Sequence, residues 1–127
     1  MMNLMLHRAE GHHEIRRYGT DGILIGETCY AEGVIVAAEE TVSAWQAPAP
    51  GELAPEHLEP VLELSPDIVL LGTGERQVFP PIAVLKRFAQ ARIGCEVMDT
   101  GAACRTFNVL ASEGRSVVAA LMPLADR

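Results

Sequence analysis

The stretch Asp67-Ile68-Val69-Leu70-Leu71-Gly72-Thr73-Gly74 decides how this chain is read. Ile68 to Leu71 run without a polar residue and stop at a pair of glycines, the pattern of a strand buried on both faces. Beyond Gly74 the chain alternates helix and strand. After Pro80-Pro81, the apolar residues Ile82, Leu85, Phe88 and Ala89 recur at three- and four-residue spacing, while Lys86, Arg87 and Gln90 occupy the other face. That spacing predicts an amphipathic helix opened by proline. Gly94 ends it, and Cys95 to Met98 reads as a short strand. Thr100 then begins a second helix with Ala103, Phe107, Leu110 and Ala111 as its buried stripe, closed by Gly114. Ser116 to Met122 is apolar enough for a last strand.

Upstream the texture differs. From His12 to Val36 the chain is cut into short blocks by Gly19, Asp21-Gly22, Gly26 and Gly33, with Ile23, Ile25, Val34, Ile35 and Val36 between them. This predicts short antiparallel strands, with Asp21-Gly22 as a turn because glycine accepts the positive φ of tight hairpins. Between Gln46 and Pro60 stand Pro48, Pro50, Pro55 and Pro60, a surface loop with Pro55 opening a helix over Glu56 to Leu62. Trp45 precedes that loop and is expected to anchor it to the core. The expected fold is α/β: a three-layer β/β/α domain over residues 1–127, with a mixed sheet, short N-terminal antiparallel strands and two or three helices. Residues 1–11 are expected to fray.

Composition limits the partners. The chain has 127 residues, 49% hydrophobic and 21% charged, and a formal net charge of -7. Its summed field repels phosphate backbones and anionic membranes, so neither nucleic acid nor a membrane is expected as a partner. No apolar run is long enough to span a bilayer, and Met1 to Leu6 lacks the features of a secretory signal. Cys29, Cys95 and Cys104 cannot all pair with one another and show no zinc spacing, which fits a reducing, cytoplasmic setting.

The residues with most chemical promise lie at two turns. Gly72-Thr73-Gly74 and Thr100-Gly101 follow apolar strands, and parallel neighbours would bring both turns to the crevice beyond the strand carboxyl ends. Unpaired N–H groups at the start of the Thr100 helix suit an anion. Arg105, Asn108 and Ser112 lie at i, i+3 and i+7 on a face distinct from the apolar stripe. Gly72, Thr73, Gly74, Thr100, Gly101, Arg105 and Asn108 are therefore the candidate ligand-binding residues. The plainer reading makes Asp99 or Thr100 a helix cap and has Arg105 tie down a neighbouring loop.

Other motifs carry less. Gly72 to Gln77 lacks the third glycine of a dinucleotide fingerprint, and no phosphate-binding lysine loop is present, so no cofactor is expected. Cys104 sits early in a helix beside Arg105, surroundings that lower a thiol pKa, although a buried small residue is the expectation; Cys29 and Cys95 read as core. His12-His13-Glu14 lies in an extended segment where neighbours point to opposite faces, so no metal site is expected; His7 and His57 stand apart. Glu39-Glu40 reads as a solvated pair rather than a catalytic dyad. No catalytic residue is assigned.

Pro66 to Gly74 together with Thr100-Gly101-Ala102-Ala103-Cys104-Arg105-Thr106-Phe107-Asn108-Val109-Leu110 resembles a domain of unknown function. It is the one shared by mitochondrial respiratory complex I assembly factor 3 and the adipogenesis-associated Mth-type domain protein. The likeness extends over roughly His12 to Pro123 in the order of elements. It implies a compact β/β/α domain without an assigned activity, in which Gly72, Thr73, Gly74, Thr100, Arg105, Thr106 and Asn108 share a crevice. Family members often carry tyrosine where this chain has Phe107.

Two functions are expected. The first is a non-enzymatic binding or assembly module for a protein partner, contacting it through the proline loop or the polar crevice. The second is a small-anion site, enzymatic or not, in which Arg105 and the N–H groups after Thr100 hold the anion while Thr73 or Asn108 orients it. The sequence does not decide the oligomeric state.

Overall fold

The computed structural model describes residues 13–39 and 42–124. Residues 1–11, His12 and Glu40, on which some of the expectations fall, lie outside the described residues. Strands β1 (Ile15–Gly19), β2 (Gly22–Ile25) and β3 (Thr28–Tyr30) form an antiparallel three-stranded sheet. A second sheet contains β4 (Val34–Ala37), β5 (Val42–Ala44), β6 (Ile68–Gly72), β7 (Gly94–Met98) and β8 (Val117–Leu121) in the order β5-β4-β8-β6-β7. Helices α1 (Glu59–Leu64), α2 (Ile82–Gln90) and α3 (Thr100–Ser112) complete the α/β fold.

The two-residue period of the strands builds two cores. Val69 and Leu71 of β6 join Val118 and Ala120 of β8 and Ile35 of β4 on one face, against Val84 and Phe88 of α2. Leu70, Ala119, Leu121 and Val36 point the other way, against Ala103 and Phe107 of α3 and Ile15, Ile23 and Ile25 of the small sheet. A strand covered on both faces has no use for polar residues, hence the unbroken apolar run that marked β6. β6 pairs in parallel with both β7 and β8, while β4 runs antiparallel to β8 and β5. The chain thus crosses from β6 through α2 to β7, then through α3 back to β8, and the two crossings pass on opposite faces.

Three expectations are corrected. Gly19 pairs with Gly22, so Thr20 and Asp21 form the hairpin loop and Gly22 opens β2. Gly22 has φ +139°, and a Cβ there would meet the Cys29 sulfur at 2.6 Å, so the glycine serves a close cross-strand approach. Val34 to Val36 form a short antiparallel strand as expected; it lies in the larger sheet between β5 and β8, with Ile35 in one core and Val34 and Val36 in the other.

The segment expected to be one helix from Pro55 is instead a 3-10 turn, Pro55–Leu58, followed by α1. Pro60 has no N–H to donate back to residue 56, so the α-helical ladder restarts at Glu59. In α2 the buried face is Val84 and Phe88; Ile82 and Ala89 face outward. The buried face is turned by about a quarter turn around the helix from the expected stripe, with Phe88 common to both and Val84, its i, i-4 neighbour, taking the core in place of Ile82.

Trp45 anchors the proline segment as expected. It is buried, and its Nε1–H donates to the His57 carbonyl at 3.1 Å. Leu53 and Leu58 from the same segment enter the core beside α2.

Candidate functional site at the strand carboxyl ends

In the parallel register Gly72 stands beside Met98 and Leu121, so β6, β7 and β8 end on one line. The two candidate turns leave from there and are bonded to each other. The Met122 N–H donates to the Gly72 carbonyl at 2.9 Å and the Thr73 N–H to the Met98 carbonyl at 2.9 Å. The Thr100 N–H donates to the Gly74 carbonyl at 2.8 Å. Its hydroxyl accepts from the Gly74 N–H at 2.8 Å and donates to the Met122 carbonyl at 2.7 Å. Thr100 is fully buried, and this one side chain ties the ends of three strands together. A Cβ on Gly72 would sit 3.0 Å from the Thr100 Cα, so glycine lets the first turn of α3 press against β6.

Thr73 stabilises its own turn. Its hydroxyl donates to the Arg76 carbonyl at 2.6 Å and accepts from the Val78 N–H at 3.0 Å. Asp99 caps α3, its carboxylate accepting from the Ala102 N–H at 2.8 Å.

Gly101, Arg105 and Asn108 face a different neighbour. Asn108 clamps the backbone of β1: its Nδ2 donates to the Ile15 carbonyl and its Oδ1 accepts from the Ile15 N–H, both at 2.9 Å. The amide side chain thereby acts as a rung of sheet between α3 and β1. Arg105 donates to the Tyr18 hydroxyl, with its guanidinium carbon 6.0 Å from the ring centre. Gly101 lies under the same ring, where a Cβ would be 3.0 Å from Tyr18 Cε1. The seven candidates therefore divide: Gly72, Thr73, Gly74 and Thr100 knit the strand ends, while Gly101, Arg105 and Asn108 dock the small sheet.

Beside the knitted turns opens a groove of about 260 Å³. It is lined by Pro48, Ala49 and Pro50 of the proline segment, by Thr73 to Arg76 and Val78, and by Met122 to Leu124. Thr73 and Gly74 border it; Thr100, Arg105 and Asn108 do not. The proline segment was visible in the sequence, but its apposition to the Thr73 turn joins residues more than twenty positions apart, which no local pattern records. A second hollow of about 190 Å³ lies near the start of β8, lined among others by Ala38, Glu39, Leu64 and Arg115.

The cysteines are all free. Cys104 is buried, and burial pushes its thiol up to about 12; Arg105 lowers it and Asp99 raises it, both by less. Desolvation outweighs the nearby guanidinium, and Cys104 is the buried small residue expected from sequence. Burial, with help from Glu96, likewise raises Cys95 to about 11. Cys29 was expected in the core; it is exposed, because β3 is the outer strand of the small sheet. Among the described residues no group of three or more His, Cys, Asp or Glu is placed to hold a metal ion.

A family described as a protein of unknown function (DUF498/DUF598) matches residues 15–122 of this chain. A Francisella tularensis protein named 13 kDa major membrane protein is 39% identical over 61 residues, which are 48% of this chain and 50% of that one. NADH dehydrogenase [ubiquinone] 1 alpha subcomplex assembly factor 3 of Mus musculus is 37% identical over 93 residues, 72% of this chain and 50% of that protein. The chain thus spans about half the length of these curated relatives. A crystal structure of a Bordetella parapertussis protein superposes with a TM-score of 0.83 at 32% identity, covering 91% of this chain and 98% of that one.

Proposed function

We propose, from the premise that this chain belongs to the DUF498/DUF598 family, that it works as a non-enzymatic binding or assembly module for a protein partner. The observation that carries the reading is the groove of about 260 Å³ between the proline segment and the Thr73 turn. Its Pro48, Pro50, Val78 and Met122 suit an apolar anchor from a partner, with Arg76 and Glu75 at hand for polar contacts. The polar candidates already serve the fold: Thr73, at the groove, and Thr100 and Asn108, away from it, hold turns and β1. Relatives named as assembly factors support the same class of role. The three free thiols fit the reducing, cytoplasmic setting that belongs to this reading.

The test is retention of a partner from cell extract. The unmodified chain retains a partner above background, Val78→Arg loses it by filling the groove, and Arg105→Ala keeps it. An unmodified chain that retains nothing removes the reading.

A second reading has one observation in its favour: Arg105 is exposed and stands over the first turn of α3, its Nη1 3.4 Å from where a Gly101 Cβ would lie. A small anion held by Arg105 and the helix N–H groups would raise the melting temperature in inorganic phosphate or a dicarboxylate. The shift disappears in Arg105→Ala; no shift in the unmodified chain rejects this alternative.

A further inference from the structure

The segment from Arg76 to Cys95 contains no aspartate or glutamate, in a chain whose net charge is -7. It holds Arg76, Lys86, Arg87 and Arg92, four of the chain's ten Lys and Arg residues. The same segment carries three of the four large apolar side chains exposed among the described residues: Val78 at 38%, Phe79 at 63% and Ile82 at 68%. Phe79 and Ile82 flank Pro80-Pro81, whose fixed φ angles hold the loop rigid as it enters α2. Ile82 and Lys86, at i and i+4, share the outward face, opposite the buried Val84 and Phe88.

From this coincidence we infer that the Arg76–Arg92 loop and helix form a face that docks on an anionic lipid surface, with Phe79 and Ile82 as its apolar tips. Charge complementarity is the first argument. The summed charge of the chain predicts repulsion from such a surface, but at about 0.1 M salt screening limits the reach of each charge to roughly 10 Å, so exposed Glu75 and Glu96, which bound the segment, oppose the contact while the more distant acids count for little. The local cations act at contact, each worth about a fivefold gain in partitioning onto an anionic membrane.

The second argument separates lipid from protein. A stable protein interface buries roughly 800 Å² per partner around a largely apolar centre. Past Ile82, the outward face of α2 presents Ala83, Lys86, Ala89 and Gln90, all exposed and either small or polar. Two protruding apolar tips with Lys86 on the same helix face match the requirement for interfacial insertion better than that for a protein interface. No helix among the described residues is long and apolar enough to cross a membrane, so the contact is peripheral. It goes beyond the partner-binding reading and stands whether or not the groove holds a partner.

The experiment is co-sedimentation of the full chain with phosphatidylcholine vesicles, with and without phosphatidylglycerol. The anionic vesicles bind it about tenfold or more above the neutral ones, and concentrated salt abolishes the difference. Lys86→Glu lowers binding about tenfold or more, since it removes one attraction and adds one repulsion. Phe79→Ser with Ile82→Ser lowers it without moving the melting temperature, because both side chains already face water. Equal binding to both vesicles, or binding that ignores all three substitutions, overturns the assignment. So does a chain that ignores vesicles yet is retained on immobilised poly-glutamate, which would make the face one for an acidic protein.

Discussion

Asn108 and Thr100 show how single polar side chains hold this molecule together. Each satisfies two backbone groups that no strand or helix would otherwise pair. Asn108→Ala leaves the N–H and C=O of buried Ile15 without partners, at a cost of about 1–3 kcal/mol for such groups. Denaturant unfolding measures that loss, and amide exchange at Ile15 rises beyond the global change. Thr100→Val keeps the shape and removes the hydroxyl, stranding the Gly74 N–H and the Met122 carbonyl, again for about 1–3 kcal/mol. The cysteines give a third check at this scale. With a thiol reagent at pH 8, exposed Cys29 reacts fast, while Cys104, held protonated and covered, reacts only as the chain opens. Rapid labelling of Cys104 in the folded chain contradicts its placement.

Among the elements, α2 is the most instructive, because its periodicity was plain and its orientation was not. The expected series runs through Ile82, Leu85, Phe88 and Ala89, and a second, through Val84 and Phe88, shares only Phe88 with it. Only the second meets Val69 and Leu71 of β6. The energetic contrast is large: Phe88→Ala costs about 3–5 kcal/mol, and Ile82→Ala changes stability by no more than about 0.5 kcal/mol. Equal losses in a pair of urea titrations would reverse the assigned face. β6, β8 and α3 were legible because their signals are local: unbroken apolar runs for the buried strands, and for α3 the Asp99 cap with Ala103, Phe107 and Ala111 behind it. β5, three residues long and half exposed, has no such signal and exists because β4 offers it an edge.

The whole molecule is a central sheet with two unlike coverings, α1, α2 and the proline segment on one face, α3 and the small sheet on the other. Its two covered thiols make it sensitive to alkali. Folding raises Cys95 to about 11 and Cys104 to about 12, above the ordinary value of 9.0. Between those limits the unfolded chain binds fewer protons than the folded one, so stability falls with rising pH. The contribution is whole below about pH 9 and is lost as pH climbs through 11 and 12. A melting temperature that declines above pH 9 in the parent, and less steeply in Cys104→Ala, checks this. By itself the sequence determined the α/β class, the order of its second half and the chemical character of each turn, because hydrophobic period, caps and glycines act over a few residues. Only the tertiary structure decided which partner each polar side chain takes. Asn108 meets Ile15 across 93 positions and Thr100 meets Met122 across 22, and such pairings are selected by how distant elements pack.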